Sequence, residues 1–334
     1  MNRPAAIQRA GVFAELPGLL AEAGIDPAAV LKPSGIDRAT LSPDTRLPFA
    51  CILAAIERAA VAMDCPHLGL LLGQRFTLAH HGPIGRLMQS APSLGQALLD
   101  FIAWQPGYSS GAIVYLGRVG EDHALGYGAA GAGSRILYDC VMSVGIRLIG
   151  ALTGGKVRAE EVHFSHRQPK DRLAYLRCLE AVPVRFNQQR VCIVLSSCAM
   201  EFRLPGADPR LHRRIGAELR EMVKSLSPDA RARTRHALRR TLQRGDAGMT
   251  AVAGELAMHP RTLRRRLAAE ETSFETVLDA TRYDIARELI ELTDLPIGDI
   301  GMALAYASHS GFTDAFRRWS GTSPSAWRRR SRQA

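Results

Sequence analysis

Four arginines crowd one short stretch of this chain, HPRTLRRRLAAEE from His259 to Glu271. Arg261 and Arg265 stand four residues apart, so on a helix they share one face. Pro260 suits the first position of such a helix, and Leu263 and Leu267 are spaced to face a core. An arginine side chain presents a planar fork of donors that matches phosphate oxygens and the O6 and N7 acceptors of guanine. The chemistry on offer is DNA recognition. Arg261 and Arg265 are the candidates for base edges, and Thr262, Arg264 and Arg266 for flanking bases or phosphates. Taken alone, the stretch also fits arginines that do no more than solvate a helix surface.

The elements that would hold these residues occur twice. One copy runs VAGELAMHPRTLRRRL from Val252 and the other IGMALAYASHSGFTDAF from Ile300. Val252 and Leu256 match Ile300 and Leu304 at an offset of 48, whereas Leu263 and Leu267 match Phe312 and Phe316 at an offset of 49. Each copy reads as a short apolar helix, a tight turn and a second helix with polar outward positions, the pattern of a helix-turn-helix, at about residues 249–268 and 297–318. Two such units can enter successive major grooves roughly 34 Å apart. Between them, Phe274 to Leu292 reads as an amphipathic helix with Val277, Leu278, Thr281, Ile285, Leu289 and Leu292 on its buried stripe. Phe312, Phe316, Trp319 and Trp327 are expected in the core rather than stacked on bases, the two tryptophans sealing the last helices around the Gly321–Pro324 turn.

Composition fits this reading. The chain has 334 residues, enough for two domains, with 46% hydrophobic content and a net charge of +11. Arginines gather late, at positions 231, 233, 235, 239, 240 and 244, again at 261–266, and at 317, 318, 328–330 and 332, while no lysine follows Lys224. That clustering favours a polyanion partner, although the total also fits a GC-rich genome. The six cysteines, Cys51, Cys65, Cys140, Cys178, Cys192 and Cys198, form no CxxC pair, which argues against structural zinc or a disulfide framework and suits a reducing cytosol. Glu15 and Glu22 interrupt any leader-like stretch, and the apolar run Val141–Leu152 is broken by Arg147 and is short for a bilayer. The expectation is a cytoplasmic protein with no membrane partner. No phosphate loop, G-x-S-x-G, HExxH or dinucleotide fingerprint occurs, so neither an enzyme nor a cofactor is expected.

The fold expected is an α+β domain over residues 1–225, followed by an all-α domain over 226–334. In the first, helices are expected at Pro48–Met63, Ser93–Trp104 (with a Ser93–Gln96 capping box), Arg135–Leu152, Lys170–Leu179 and Pro209–Lys224. Strands are expected at Ala112–Arg118, His123–Tyr127, Val157–Phe164 and Val191–Leu195. Ser227 and Pro228 are read as the cap and first turn of the next helix. His80, His81, Arg86, Tyr108, Tyr127 and Arg135 lie near apolar stretches and are candidates for a ligand pocket, although each taken singly fits a surface or satisfied core residue better. Leu211, Ile215, Leu219 and Met222 form a stripe that suits either a homodimer or a contact within one chain.

The segments HPRTLRRRLAAEETSF, ATRYDIARELI and IGDIGMALAYASHSGFTDAFRRWSGTSPSAWR resemble the DNA-binding domain of AraC-type transcriptional regulators, over about residues 229–330. The cues AGIDPAAV, TRLPFACILAAIERA, HLGLLLG, SAPSLGQAL, PVRFNQQR and LPGADPRLH, over about residues 15–215, are similar to the arabinose-binding-type sensor domain of that family. The resemblance implies a bacterial regulator that binds double-stranded promoter DNA, answers to an unknown small-molecule effector and activates transcription with RNA polymerase. It places Arg261 and Arg265 at base-contacting positions of the first unit. In the second it places His309, Ser310 and Asp314 facing bases, Thr313 and Arg317 near phosphate, and Ser308 among the DNA-binding residues. The second unit departs from the family pattern, with Asp314 where arginine is common and Ala305–Tyr306 where Gly-Phe is usual. Asp314 either accepts from cytosine N4 or pairs with Arg317 or Arg318, and in both cases this unit is expected to read DNA more weakly. Two other classes remain at this point, a catalytic first domain tethered to a DNA-binding module and a non-specific architectural binder.

Overall fold

The apolar run that includes Val141–Leu152 belongs to a longer helix, Arg135–Thr153, stopped by Gly154 at φ +63°. By length and hydropathy this helix is able to cross a membrane, so shortness is not what marks it as a core helix. Burial inside the protein is: Asp139, Ser143 and Thr153 are fully buried along with Leu148 and Ile149. The helix Leu68–Gln74 lies against it through Gly69 and Gly73, four residues apart. A Cβ at Gly69 would overlap the Ile136 carbonyl and one at Gly73 would overlap Ser143, so only glycine allows this approach. Ser143 Oγ then donates to the Leu70 carbonyl at 2.9 Å.

The structure, a computed structural model, describes residues 6–105, 109–129, 134–226, 229–242 and 244–331. It divides into two units between His212 and Arg213. In the first, Ile7–Arg9 (β1) and Arg46–Pro48 (β2) form an antiparallel ribbon. The main sheet comprises Ala112–Val119 (β3), Asp122–Ala129 (β4), Glu161–His163 (β5), Val184–Arg185 (β6) and Cys192–Leu195 (β7). Its order is β3-β4-β7-β5-β6, with β5 and β6 parallel and the other pairs antiparallel. The expected strand over 157–164 shortens to β5, and β1, β2 and β6 are additions. The central strand β7 is buried throughout, and Gly145 lets the core helix sit close to Ile193 on it. Ser93 caps Leu94–Trp104 by accepting from the Gln96 N–H at 3.2 Å, but the capping box is half formed, because the Gln96 side chain donates to Asp100 instead, at 2.9 Å.

The helix Pro209–Leu226 runs across the division, some way before the sequence boundary at 225. From Arg213 onward it belongs with the second unit, where Ala217, Arg220 and Glu221 share a cleft with Arg233, His236 and Glu255. Ile215 and Leu219 are buried within the chain, so a homodimer built on this stripe has Met222, 51% exposed, as its outward apolar member. The cap expected at Ser227 and Pro228 lies outside the described residues, and the next helix runs from Ala230 to Leu242. Helices Met249–Glu255, Pro260–Ala269, Phe274–Leu292, Ile297–Ala303, His309–Ser320 and Pro324–Ser331 complete an all-α unit.

Candidate nucleic-acid interface

Both helix-turn-helix turns are built from the same hydrogen bonds. In the first, the Ala257 N–H donates to the Gly254 carbonyl at 3.0 Å and the Met258 N–H to the Ala253 carbonyl at 2.9 Å. In the second, Ala305 donates to Met302 at 3.0 Å and Tyr306 to Gly301 at 3.0 Å. Every donor and acceptor moves by 48 residues. Ala257 and Ala305 take left-handed φ values of +51° and +59°, so the missing glycine before Tyr306 does not alter the turn. The change of offset to 49 falls at Ala307, a single extra residue before the second recognition helix. His259 Nδ1 caps the first recognition helix by accepting from the Arg261 N–H at 3.2 Å, and Ser308 Oγ caps the second by accepting from the Gly311 N–H at 3.1 Å.

Leu263 and Leu267 are buried, as are Phe312 and Phe316 in the equivalent places. Each such burial contributes about 2 kcal/mol and fixes which face turns outward. On the first recognition helix that outward face carries Arg261, Arg264, Arg265 and Arg266, all exposed, with Thr262 half-buried. Among the described residues, the side chains of Arg261, Arg265 and Arg266 make no ion pair or hydrogen bond, and Arg264 reaches only the sulfur of Met249 at 3.9 Å. No acidic residue occupies the first turn, so the positive helix end and the guanidinium groups share one field.

Other arginines of this unit are engaged internally. Arg235 pairs with Asp284, Arg239 with Glu288 at 2.7 Å, and Arg240 and Arg244 both hold Glu255, at 3.0 and 2.8 Å. Burial, reinforced by Arg240 and Arg239, holds His236 down at a pKa of about 4. Much of the 231–244 arginine cluster is therefore scaffold rather than polyanion surface. Arg282 donates to the Leu304 carbonyl at 3.1 Å and lies over the Tyr306 ring at 4.6 Å, closing the helix end before the second turn. Glu270 accepts from the Ala230 and Arg231 N–H groups and caps the helix that starts there. Sequence reasoning missed both contacts, because each links positions far apart along the chain.

On the second recognition helix, Ser308, His309, Ser310, Asp314 and Arg317 are exposed, while Thr313 is half-buried with its hydroxyl oxygen shielded. At the offset of 49, Ser310 stands where Arg261 does and Asp314 where Arg265 does. Asp314 lies 3.9 Å from Arg317, a loose pair with both side chains well exposed. Arg318 turns to Asp279 at 3.0 Å instead. Trp319 and Trp327 are half-buried rather than core: their indole N–H groups donate to Asp279 and Glu291 at 3.2 and 3.0 Å, and both rings meet Tyr283 of the connecting helix.

In the first unit, His81 and Tyr127 line a cavity of about 170 Å³. Three other pocket candidates, His80, Arg86 and Arg135, are not among its lining residues. His80 bonds Glu15 at 3.0 Å, Arg86 is exposed, and Arg135 donates to the Tyr175 hydroxyl at 3.2 Å beside buried Asp139. Tyr108 is outside the described residues.

The family described as the arabinose-binding domain of AraC transcription regulators, N-terminal, matches residues 24–204, more than half of the chain. A helix-turn-helix domain family matches residues 252–330, which contain both turns. The chain belongs to the AraC-type transcriptional regulators. Curated relatives of this AraC-type protein include the ornithine utilization regulator of Pseudomonas aeruginosa, 27% identical over 322 residues and covering 93% of each chain. The regulator VirS of Mycobacterium tuberculosis is 27% identical over 326 residues, again covering 93% of each. Among solved structures, the transcriptional regulator CdpR of Pseudomonas aeruginosa shares the fold, with a TM-score of 0.50 at 23% identity over 95% of this chain and 97% of that one. The protein is thus a helix-turn-helix transcriptional regulator with an α+β first domain.

Proposed function

We propose that this AraC-type regulator reads double-stranded promoter DNA mainly through the helix Pro260–Ala269. Arg261 and Arg265 address base edges in the major groove, and Thr262, Arg264 and Arg266 address flanking bases or phosphates. The helix His309–Ser320 enters the next groove and adds a weaker contribution from Ser308, His309, Ser310 and Arg317, with Asp314 opposing close phosphate approach. The observation that carries this is the contrast between two turns with the same hydrogen bonds: one presents Arg261, Arg265 and Arg266 without ion pairs among the described residues, the other puts a carboxylate at the place of Arg265. Residues 1–225 sense a small-molecule effector. The protein works in the cytoplasm as an activator that engages RNA polymerase and catalyses no reaction.

Selection of the purified chain against a random duplex library near physiological salt tests this, with the affinity of the winners followed against salt. The expected motif has two blocks about one helical turn apart, the block under Arg261 and Arg265 carrying more information. Binding with no enriched sequence and a steep salt slope would leave only backbone attraction and defeat the reading.

A further inference from the structure

The cavity of the first unit lies between the sheet and the core helix, with Val114 and Leu125 on one wall and Val144 and Leu148 on the other. Phe49 and Phe101 also line it. Its volume of about 170 Å³ compares with the roughly 150 Å³ apolar cavity known to admit benzene, so it fits one substituted ring. Among the described residues no Asp, Glu or Lys lines it. The one permanent cation among the described lining residues, Arg9, is committed to Asp44 at 2.7 and 3.0 Å and to the His80 carbonyl. His81 packs on Phe101 at 4.8 Å and stays uncharged, because burial and then the nearby Arg9 and His80 push its pKa down to about 3. Nothing here balances an ionic ligand, and an unbalanced charge in such a site is costly.

Gln8 adds a polar requirement. It lines the cavity, and its Nε2 donates to the Arg9 carbonyl at 3.1 Å, but its Oε1 is buried and accepts no hydrogen bond among the described residues. Buried acceptors are seldom left this way, and a ligand hydroxyl would satisfy this one.

We infer that this cavity binds a compact, uncharged, mainly apolar molecule with a single hydroxyl donor, of the phenol or small cyclic alcohol class, its hydroxyl on Gln8 Oε1. This rests on the effector-responsive reading above and names the class of effector.

The test is calorimetric titration of the full chain with four probes of matched ring size: p-cresol, p-xylene, 4-methylbenzoate and L-phenylalanine. p-Cresol is expected to saturate one site, p-xylene to bind roughly tenfold more weakly for want of the donor, and the two charged probes not to bind. Gln8→Leu should erase the preference of p-cresol over p-xylene. Val144→Phe should fill the space and abolish both, with the melting temperature held or raised. Tighter binding of either charged probe, p-cresol binding that survives Val144→Phe, or no neutral probe bound at millimolar concentration would overturn the assignment. DNA binding is measured on the same preparation. If it is sequence-selective while p-cresol fails, the effector class is wrong and the regulator reading stands; if p-cresol binds and DNA selectivity is missing, the reverse holds.

Discussion

Replacing Asp314 by arginine should turn the second recognition helix into a copy of the first at its central outward position. The folding cost is small. Asp314 and Arg317 are 74% and 60% exposed and 3.9 Å apart, and pairs of this kind contribute about 0–1 kcal/mol. The DNA effect is expected to be larger, because on the two-groove proposal a carboxylate in the groove, repelling nearby phosphate, gives way to a guanidinium. One added phosphate contact steepens the plot of log affinity against log salt by about 0.9. Referred to 1 M salt, that slope amounts to about fivefold tighter binding at 0.15 M and about fifteenfold at 0.05 M. Fluorescence anisotropy on a labelled duplex carrying the selected site, titrated with salt, reads both numbers. Asp314→Ala is the control: it removes the repulsion without supplying a contact, so it should tighten binding less and leave the slope alone. Unchanged affinity and slope in Asp314→Arg would show that the second helix does not dock, and would refute two-groove reading.

Arg265→Ala should leave thermal stability within about 0.5 kcal/mol, because its side chain has no partner among the described residues, yet lose about 1–3 kcal/mol at one base pair. Equal losses on every sequence would show a phosphate contact instead. Arg240→Ala should do the opposite, costing about 3 kcal/mol in a denaturant melt, since Arg240 is 6% exposed and holds Glu255, with Arg244 left as partial compensation. A change below about 1 kcal/mol would mean that the pair is not structural. His81, held to a pKa of about 3 in the fold, binds fewer protons there than in the unfolded chain, where its pKa is near 6.5. Its contribution is therefore complete above about pH 6.5 and falls as pH drops toward about 3, by about 2 kcal/mol at pH 5. His81→Phe, at a site already flanked by Phe76 and Phe101, should flatten that limb in melts between pH 7.5 and 5; an unflattened limb would show that the acid sensitivity comes from other groups.

The helix-turn-helix pair was legible because its signals are local. Apolar spacing, a proline at a helix start and small capping residues all act within one turn of the residue that carries them. The sheet was harder to read. The strands β5 and β7 fall within the expected segments, but β6 has only two residues and too little alternation to detect, and the pairing out of sequence order leaves no local signal. The ribbon of β1 with β2 joins segments near residues 8 and 47, a pairing that no local pattern encodes. Misreading the arginines had the same cause. Arg235 and Arg239 look outward in sequence, but Asp284 and Glu288 sit 49 positions away at matching helical spacing and take them up. Of the pocket candidates, His81 and Tyr127 reach the cavity, whereas Gln8, whose Oε1 accepts no hydrogen bond among the described residues, carries no sequence signal at all.

The two units share a backbone and differ in the chemistry they display, and the scaffold accounts for why that difference is tolerated. Each turn is fixed by main-chain hydrogen bonds and by an alanine in the left-handed region, and each recognition helix by two buried side chains at equivalent places. None of these constraints touches the outward positions 261, 265, 310 or 314, which are exposed in both units. The connecting helix Phe274–Leu292 holds the second unit through Arg282, Asp279 and Tyr283, side chains that never face outward from a recognition helix. Substituting an outward residue therefore changes affinity and base preference with little effect on folding, while substituting an internal arginine changes folding first. A loss of DNA binding identifies a reading residue only when the melting temperature of the same variant has stayed where it was.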